Sequence, residues 1–282
     1  MISRSFNNIT FVEDKVIKTS TEKEKLISEY KHYYLMSEKM QRHLVKPYDL
    51  CTEGNQVSYS MKRHSDENTG SMYAKGELSH LEFTKIISAV DDFRKNARKI
   101  LMGRKEAEPI RNQLTVEKSR SRSLELYSAT YQKFDTIISS SLLSRLEKAV
   151  KEIGDAHSIT LVESHGDLCL SNILACYDGN VRFLDPRGAD SIWLDEYYDM
   201  AKLSQSILGG YDFIINDIPE AHNSQIQDMF LGYLKNQGLS YNLVRVYEAS
   251  LFISMCPLHM GRHDHIDSFL LKADGILKEL GY

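Results

Sequence analysis

The sequence predicts an α+β fold of two lobes: a small antiparallel sheet with one helix, then a larger, mainly helical part. Three observations predict it. Strand-like alternation is concentrated before residue 64, helical periodicity dominates after it, and a polar connector over 64–76, with Asp66-Glu67-Asn68-Thr69-Gly70, lies between them. The expected division is therefore a lobe over 1–63 and a second over 64–282.

In the first lobe, Ile9-Thr10-Phe11-Val12 and Lys15-Val16-Ile17-Lys18 flank Glu13-Asp14 and read as a hairpin. Residues 22–40 read as one helix, with Leu26, Glu29, Tyr30, Tyr33 and Met40 along one stripe. Strands follow over 44–50 and 56–63. In the second of these, Val57, Tyr59 and Met61 alternate with Ser58, Ser60 and Lys62, the pattern of a half-buried strand. In the second lobe, helices are expected over 78–101, 121–138, 142–153, 243–255 and 268–280. Leu142, Leu146, Ala149, Val150 and Ile153 share a face, and Gly154 is a natural stop beyond them. No internal repeat or low-complexity tract interrupts this order.

Bulk properties exclude several classes. The 42% apolar content of the 282 residues is sufficient for a sizeable core. A net charge of -4 argues against nucleic acid as the principal partner, which calls for a basic face. No apolar run approaches the roughly 18 residues of a membrane span, and the first eight residues lack the apolar core of a signal peptide. Cys51, Cys169, Cys176 and Cys256 form no CxxC pair, so structural zinc and a disulfide framework are not expected, and a cytoplasmic location is. The oligomeric state is not readable.

The chemistry concentrates in one stretch. Ile159–Ser164 is strand-like and delivers His165-Gly166-Asp167-Leu168-Cys169-Leu170-Ser171-Asn172. Ile173-Leu174-Ala175-Cys176-Tyr177 and Asn180-Val181-Arg182-Phe183-Leu184 then flank Asp178-Gly179, a strong hairpin signal because both turn residues tolerate positive φ. The hairpin returns Asp185 beside Asn172. Asp167, an amide five residues on and a second acid eighteen residues on form the arrangement that magnesium-dependent phosphoryl transfer requires. One carboxylate orients the attacking hydroxyl, while Asn172 and Asp185 supply oxygen ligands to a metal held against ATP phosphates. Turn and cap roles for Asp167 and Asn172 are the plainer alternative.

These residues resemble the aminoglycoside phosphotransferase and choline kinase group, which has the two-lobed protein-kinase-like fold. The likeness is close over 160–212 and loose over the N-terminal hairpin and helix. It implies a small-molecule kinase using ATP and Mg2+, with Asp167 as catalytic base, Asn172 and Asp185 as metal ligands, and His165 as a packing residue of the loop. It also implies that Asp199, in Asp199-Met200-Ala201, braces that loop; a first-turn acid is the compatible alternative. Val16-Ile17-Lys18 resembles the kinase Val-Ala-Ile-Lys strand, which makes Lys18 the phosphate-binding cation and Glu29, a carboxylate inside an apolar stripe, its partner. The departure is the missing glycine-rich loop; Ser5-Phe6-Asn7-Asn8 stands where phosphates would be covered.

On the acceptor side, Arg187 in Asp185-Pro186-Arg187-Gly188 is read as a guanidinium near the transferred phosphate or an anionic substrate, or else as an ion-paired surface residue. Tyr211, Asp212, His259 and Arg262 are further candidates for substrate contact, with a packed turn the alternative for the first two. His259, His263 and His265 lack a fixed helical face for zinc. The Asp-Pro-Arg-Gly and following Gly-Gly-Tyr-Asp patterns are similar to kinase-like proteins found with bacterial surface-polysaccharide genes, which implies a sugar or sugar-derived acceptor. A nucleotide-binding pseudokinase that regulates a partner, and a choline- or aminoglycoside-type kinase, are the alternative functions.

Overall fold

The computed structural model describes residues 7–130, 136–188 and 191–282. It divides into two compact units, one formed by Met1–Lys99 with Val162–Leu194, the other by Ile100–Leu161 with Asp195–Tyr282. The fold is α+β, with a small antiparallel sheet near the N-terminus and a mainly helical remainder.

In the first unit, β1 (Asn7–Val12), β2 (Lys15–Ser20), β3 (Pro47–Glu53) and β4 (Gln56–Lys62) form a four-stranded antiparallel sheet in the order β1-β2-β4-β3. The alternation along β2 buries Val16, Lys18 and Ser20. Their register partners on β4 are Met61, Tyr59 and Val57. Strand partners directly opposite each other project to the same side, so an apolar face with one lysine in it looks toward α1 (Lys23–Leu35). Val16, Leu26, Val57, Tyr59, Met61, Leu174, Cys176 and Leu184 pack into one core there.

The helix expected over 22–40 is broken. Met36 is extended (φ -72, ψ 152), and α2 (Glu38–Gln41) begins only after Ser37. The polar connector is not all loop, since α3 (Thr69–Ala74) starts there, with the Asn68 side chain accepting from the Ser71 amide. α4 (His80–Asn96) opens with a full Ser79–Glu82 capping box and ends at Asn96; Lys99–Met102 is a strand rather than the helix's last turn.

In the second unit, Tyr241–Met255 is the axis. Every residue from Leu243 to Met255 is buried, so the helix is covered on all sides by Lys118–Thr130, Thr136–Gly154, Tyr197–Ile207 and His263–Glu279. Arg104–Asn112 is a helix despite Pro109 and continues into a π-helical turn over Gln113–Glu117. Charge inside this unit is compensated: Glu248, fully buried, accepts from Ser204 Oγ and from Arg245 Nη1 at 2.6 Å. Among the described residues no helix is long and apolar enough to cross a membrane.

Candidate active site

Lys18 is 3% exposed, an expensive position for an ammonium unless carboxylates surround it. Two do. Its Nζ lies 2.6 Å from Glu29 Oε1 on α1 and 3.0 Å from Asp185 Oδ1. The hydroxyl of Tyr59, its cross-strand partner, donates to the same Glu29 oxygen. Burial alone would depress the lysine, but the Asp185 and Glu29 carboxylates outweigh it and hold its pKa above the ordinary value. Glu29 is raised, first by burial against the pull of Lys18 and then by the Asp185 carboxylate. Both directions follow from one ammonium shared by two carboxylates, a buried group of net charge -1 when all three are ionised.

Asp185 reaches this position through the hairpin that Asp178-Gly179 closes. Ile173–Ala175 pairs with Val181–Phe183, and the Leu184 amide donates to the Asn172 carbonyl at 3.0 Å, so Asn172 and Asp185 sit at the same end. The backbone of Asp185 is left-handed, with φ 56. Asp is one of the few residues other than glycine that adopts this conformation, at a cost of about 1–2 kcal/mol.

The Asn172 side-chain amide donates to the Asp167 carbonyl at 2.8 Å and to Asp167 Oδ2 at 3.1 Å. Its nitrogen is thereby used on the loop, which leaves the amide oxygen as the atom able to meet a ligand. His165 is fully buried, and burial together with the neighbouring His32 pushes it down to about 4, so the ring is neutral. The Asp167 amide donates to its Nδ1 at 3.3 Å. His165 is thus a packing and hydrogen-bonding residue of the loop.

Glycine is required at two places. Gly166 has φ 77, and a Cβ there would lie 2.7 Å from Cβ and 3.2 Å from Cδ of Arg187, so the arginine stem crosses the loop one residue before Asp167. At Gly188 a Cβ would lie 2.5 Å from the Lys25 carbonyl and 3.2 Å from the Glu29 amide, so the segment after Asp185 runs directly along α1.

Lys18, Glu29, Asp167, Asn172, Asp185 and Arg187 therefore gather in the first unit. Tyr211, Asp212, His259 and Arg262 belong to the second. Asp212 is fully enclosed with neither carboxylate oxygen hydrogen-bonded among the described residues, and burial lifts it to about 6. Tyr211 packs beside Phe269, and His259 meets the Phe269 ring edge-on at 5.0 Å between centroids. Arg262 is ion-paired with Asp217 at 2.5 Å and Asp264 at 3.1 Å. Asp199 is buried in the first turn of Tyr197–Ile207. The proposed phosphate-covering residues Ser5 and Phe6 lie outside the described residues. Periodicity alone missed Tyr59, whose apolar neighbours disguise its hydroxyl, and His32, which the stripe on α1 passed over. The register of Lys18 with Tyr59 was the available signal.

Asn172 and Asp185 offer neutral and anionic oxygen donors beside a net negative cluster, a set suited to a hard divalent cation such as Mg2+. Lys18 offers a buried cation for phosphate oxygens, and Asp167 a carboxylate able to accept a hydroxyl proton.

No protein-family model matches the sequence, and no curated protein matches it. Solved structures do. A thermostable mutant of aminoglycoside phosphotransferase APH(4)-Ia in its apo form superposes with a TM-score of 0.63 at 11% identity, over 98% of this chain and 94% of that one. The GDP complex of wild-type aminoglycoside 2'-phosphotransferase-IIIa gives 0.61 at 11% identity, over 99% and 91%. A glucosamine kinase gives 0.58 at 10% identity, over 97% and 78%. The chain has the fold shared by these aminoglycoside phosphotransferases and the glucosamine kinase.

Proposed function

We propose that the protein is an ATP- and magnesium-dependent phosphotransferase that moves the γ-phosphate to a hydroxyl of a small molecule. Residues 1–63 form its nucleotide-binding lobe and 64–282 its catalytic and acceptor-binding lobe. The observation that carries this is the shared lysine: Lys18 between Glu29 and Asp185, with Asp185 held by the hairpin beside an Asn172 that is bonded to Asp167.

Lys18, held in place by Glu29, binds α- and β-phosphate oxygens. Asn172 and Asp185 hold Mg2+, which when bound offsets the charge of the β- and γ-phosphates. Asp167 orients the acceptor hydroxyl. As its oxygen bonds to the γ-phosphorus and the bond to the β–γ bridging oxygen breaks, the hydroxyl proton passes to the Asp167 carboxylate. Arg187, laid across the loop beside Gly166, offsets charge on the transferred group. Asp212 takes no part in substrate contact, because its carboxyl is enclosed.

A sugar or amino-sugar acceptor is the class favoured. Structures with this fold include a glucosamine kinase and an aminoglycoside phosphotransferase solved with AMP-PNP and hygromycin B. The test is ATP consumption across a panel of sugars and amino sugars, with Asp167→Asn as the blank. Turnover by the wild type that Asp167→Asn abolishes, with nucleotide binding retained, is the expected result. Transfer at the wild-type rate in Asp167→Asn removes it from the base role, and nucleotide binding without turnover of any acceptor favours a regulatory pseudokinase.

A further inference from the structure

We propose that His32 is a positioning residue that ties the helix bearing Glu29 to the loop bearing Asp167, so that the nucleotide half and the transfer half of the site settle together. The inference rests on the phosphotransferase function proposed above.

Glu29 and His32 are three residues apart on α1 and both are buried, so they share one face and move as one body. Glu29 looks toward Lys18. His32 looks toward the chain just before the catalytic loop, with Nε2 2.9 Å from the Ser164 carbonyl. The carbonyl can only accept, so Nε2 carries the proton and the ring donates. Ser164 is itself 1% exposed, and its amide is bonded to the Ile192 carbonyl at 2.8 Å. The other ring nitrogen, Nδ1, is buried without a hydrogen-bond partner among the described residues. Burial lowers the His32 pKa despite the Ser164 contact, which keeps the donor neutral.

The imidazole therefore joins two segments, α1 and the entry to Asp167, and a third, the exit from Asp185, runs along the same helix. The last two are joined to each other through the Arg187 amide and the His165 carbonyl, at 2.9 Å. The Gly188 backbone closes against Lys25 and Glu29 of the same helix. An apolar side chain at position 32 would fill the space but leave the Ser164 carbonyl buried without its donor, a loss that proteins resist by shifting the segment.

The test compares His32→Leu with His32→Gln, because a glutamine amide can donate over a similar reach and leucine cannot. Two readouts are taken on the full chain: the factor by which Mg2+ strengthens AMP-PNP binding, and amide exchange over residues 164–172. His32→Leu is expected to reduce the magnesium factor about tenfold, the equivalent of one lost buried hydrogen bond, and to speed exchange over 164–172. His32→Gln is expected to restore both to within about twofold of wild type. A folded His32→Leu with wild-type values, or a His32→Gln no better than leucine, overturns the proposal. If His32→Leu does not fold, His32→Asn, whose amide is too short to reach, takes its place against glutamine. A wild type that binds no Mg2+–AMP-PNP overturns the phosphotransferase function, while the exchange comparison still decides whether His32 holds the loop.

Discussion

Replacing Lys18 by methionine keeps the length of the side chain and removes the one charge that the buried Glu29 and half-buried Asp185 carboxylates share. Breaking a buried ion pair costs about 3–5 kcal/mol when the surviving charge has no escape. Here Glu29 has one: it is already raised by burial and by Asp185, so without the ammonium it takes up a proton more readily still. The expected loss is therefore at the lower end, about 3 kcal/mol at pH 7.5, and smaller at pH 5, where protonation of Glu29 more nearly replaces the missing cation. The wild-type lysine titrates the other way. With its folded pKa raised, its contribution is complete below 10.5 and is lost as pH rises beyond that value. Urea unfolding of both proteins at pH 5 and pH 7.5 measures the difference. A loss below about 1 kcal/mol at pH 7.5, or an equal loss at both pH values, refutes the picture of one ammonium neutralising two carboxylates.

Two other perturbations probe features away from that lysine. Gly188→Ala brings a Cβ within 2.5 Å of the Lys25 carbonyl, which must displace α1 or the segment after Asp185; a destabilisation of about 1–3 kcal/mol is expected in urea unfolding. Wild-type stability there would mean the segment does not press on the helix. Asp212, lifted from 3.8 to about 6 by burial, is an acid with a raised folded pKa, so it penalises the fold above pH 6 and the penalty vanishes as pH falls toward 3.8. Asp212→Asn is expected to stabilise by up to about 3 kcal/mol at pH 7.5, at 1.36 kcal/mol per unit, and by little at pH 4. His165, pushed down to about 4, acts in the opposite sense, its contribution being lost as pH falls below 6.5. The variant should therefore lose stability more steeply than wild type between pH 6.5 and 4; parallel profiles would count against an ionised Asp212 at neutral pH.

The elements that sequence periodicity reads well are those whose burial pattern is set within the element. β2 alternates cleanly, β4 does so apart from a buried Ser60, and Asp178-Gly179 fixes a hairpin by its own turn chemistry. The misread boundaries are set elsewhere. Met36 continues an apolar stripe but turns inward as an extended residue, so the 22–40 helix divides. Ala97–Arg98 ends α4 before Lys99–Met102, because the Arg98 amide is taken by the buried Glu163 carboxylate, 65 residues away in sequence. The site divides in the same way. Asp167, Asn172 and Asp185 follow from spacing, and Lys18 with Glu29 from a charge pair on two apolar stripes. His32 and Tyr59 are visible only once the strand register and the helix face are known, since neither residue type announces a partner. The acceptor side was least legible: Asp212, His259 and Arg262 stand out as isolated polar residues, yet His259 and Arg262 have partners inside their own unit and Asp212 is enclosed.

The lysine between two carboxylates also bears on the form in which a nucleotide can dock. A bare triphosphate would bring like charge to a pocket already one electron in excess, and Lys18 has no spare attraction to offer while Asp185 occupies it. A triphosphate escorted by a divalent ion meets different conditions. If Asp185 helps to hold the metal, as proposed above, Lys18 would be left to the phosphates with Glu29 fixing its place, and the site would favour the metal complex over the free nucleotide.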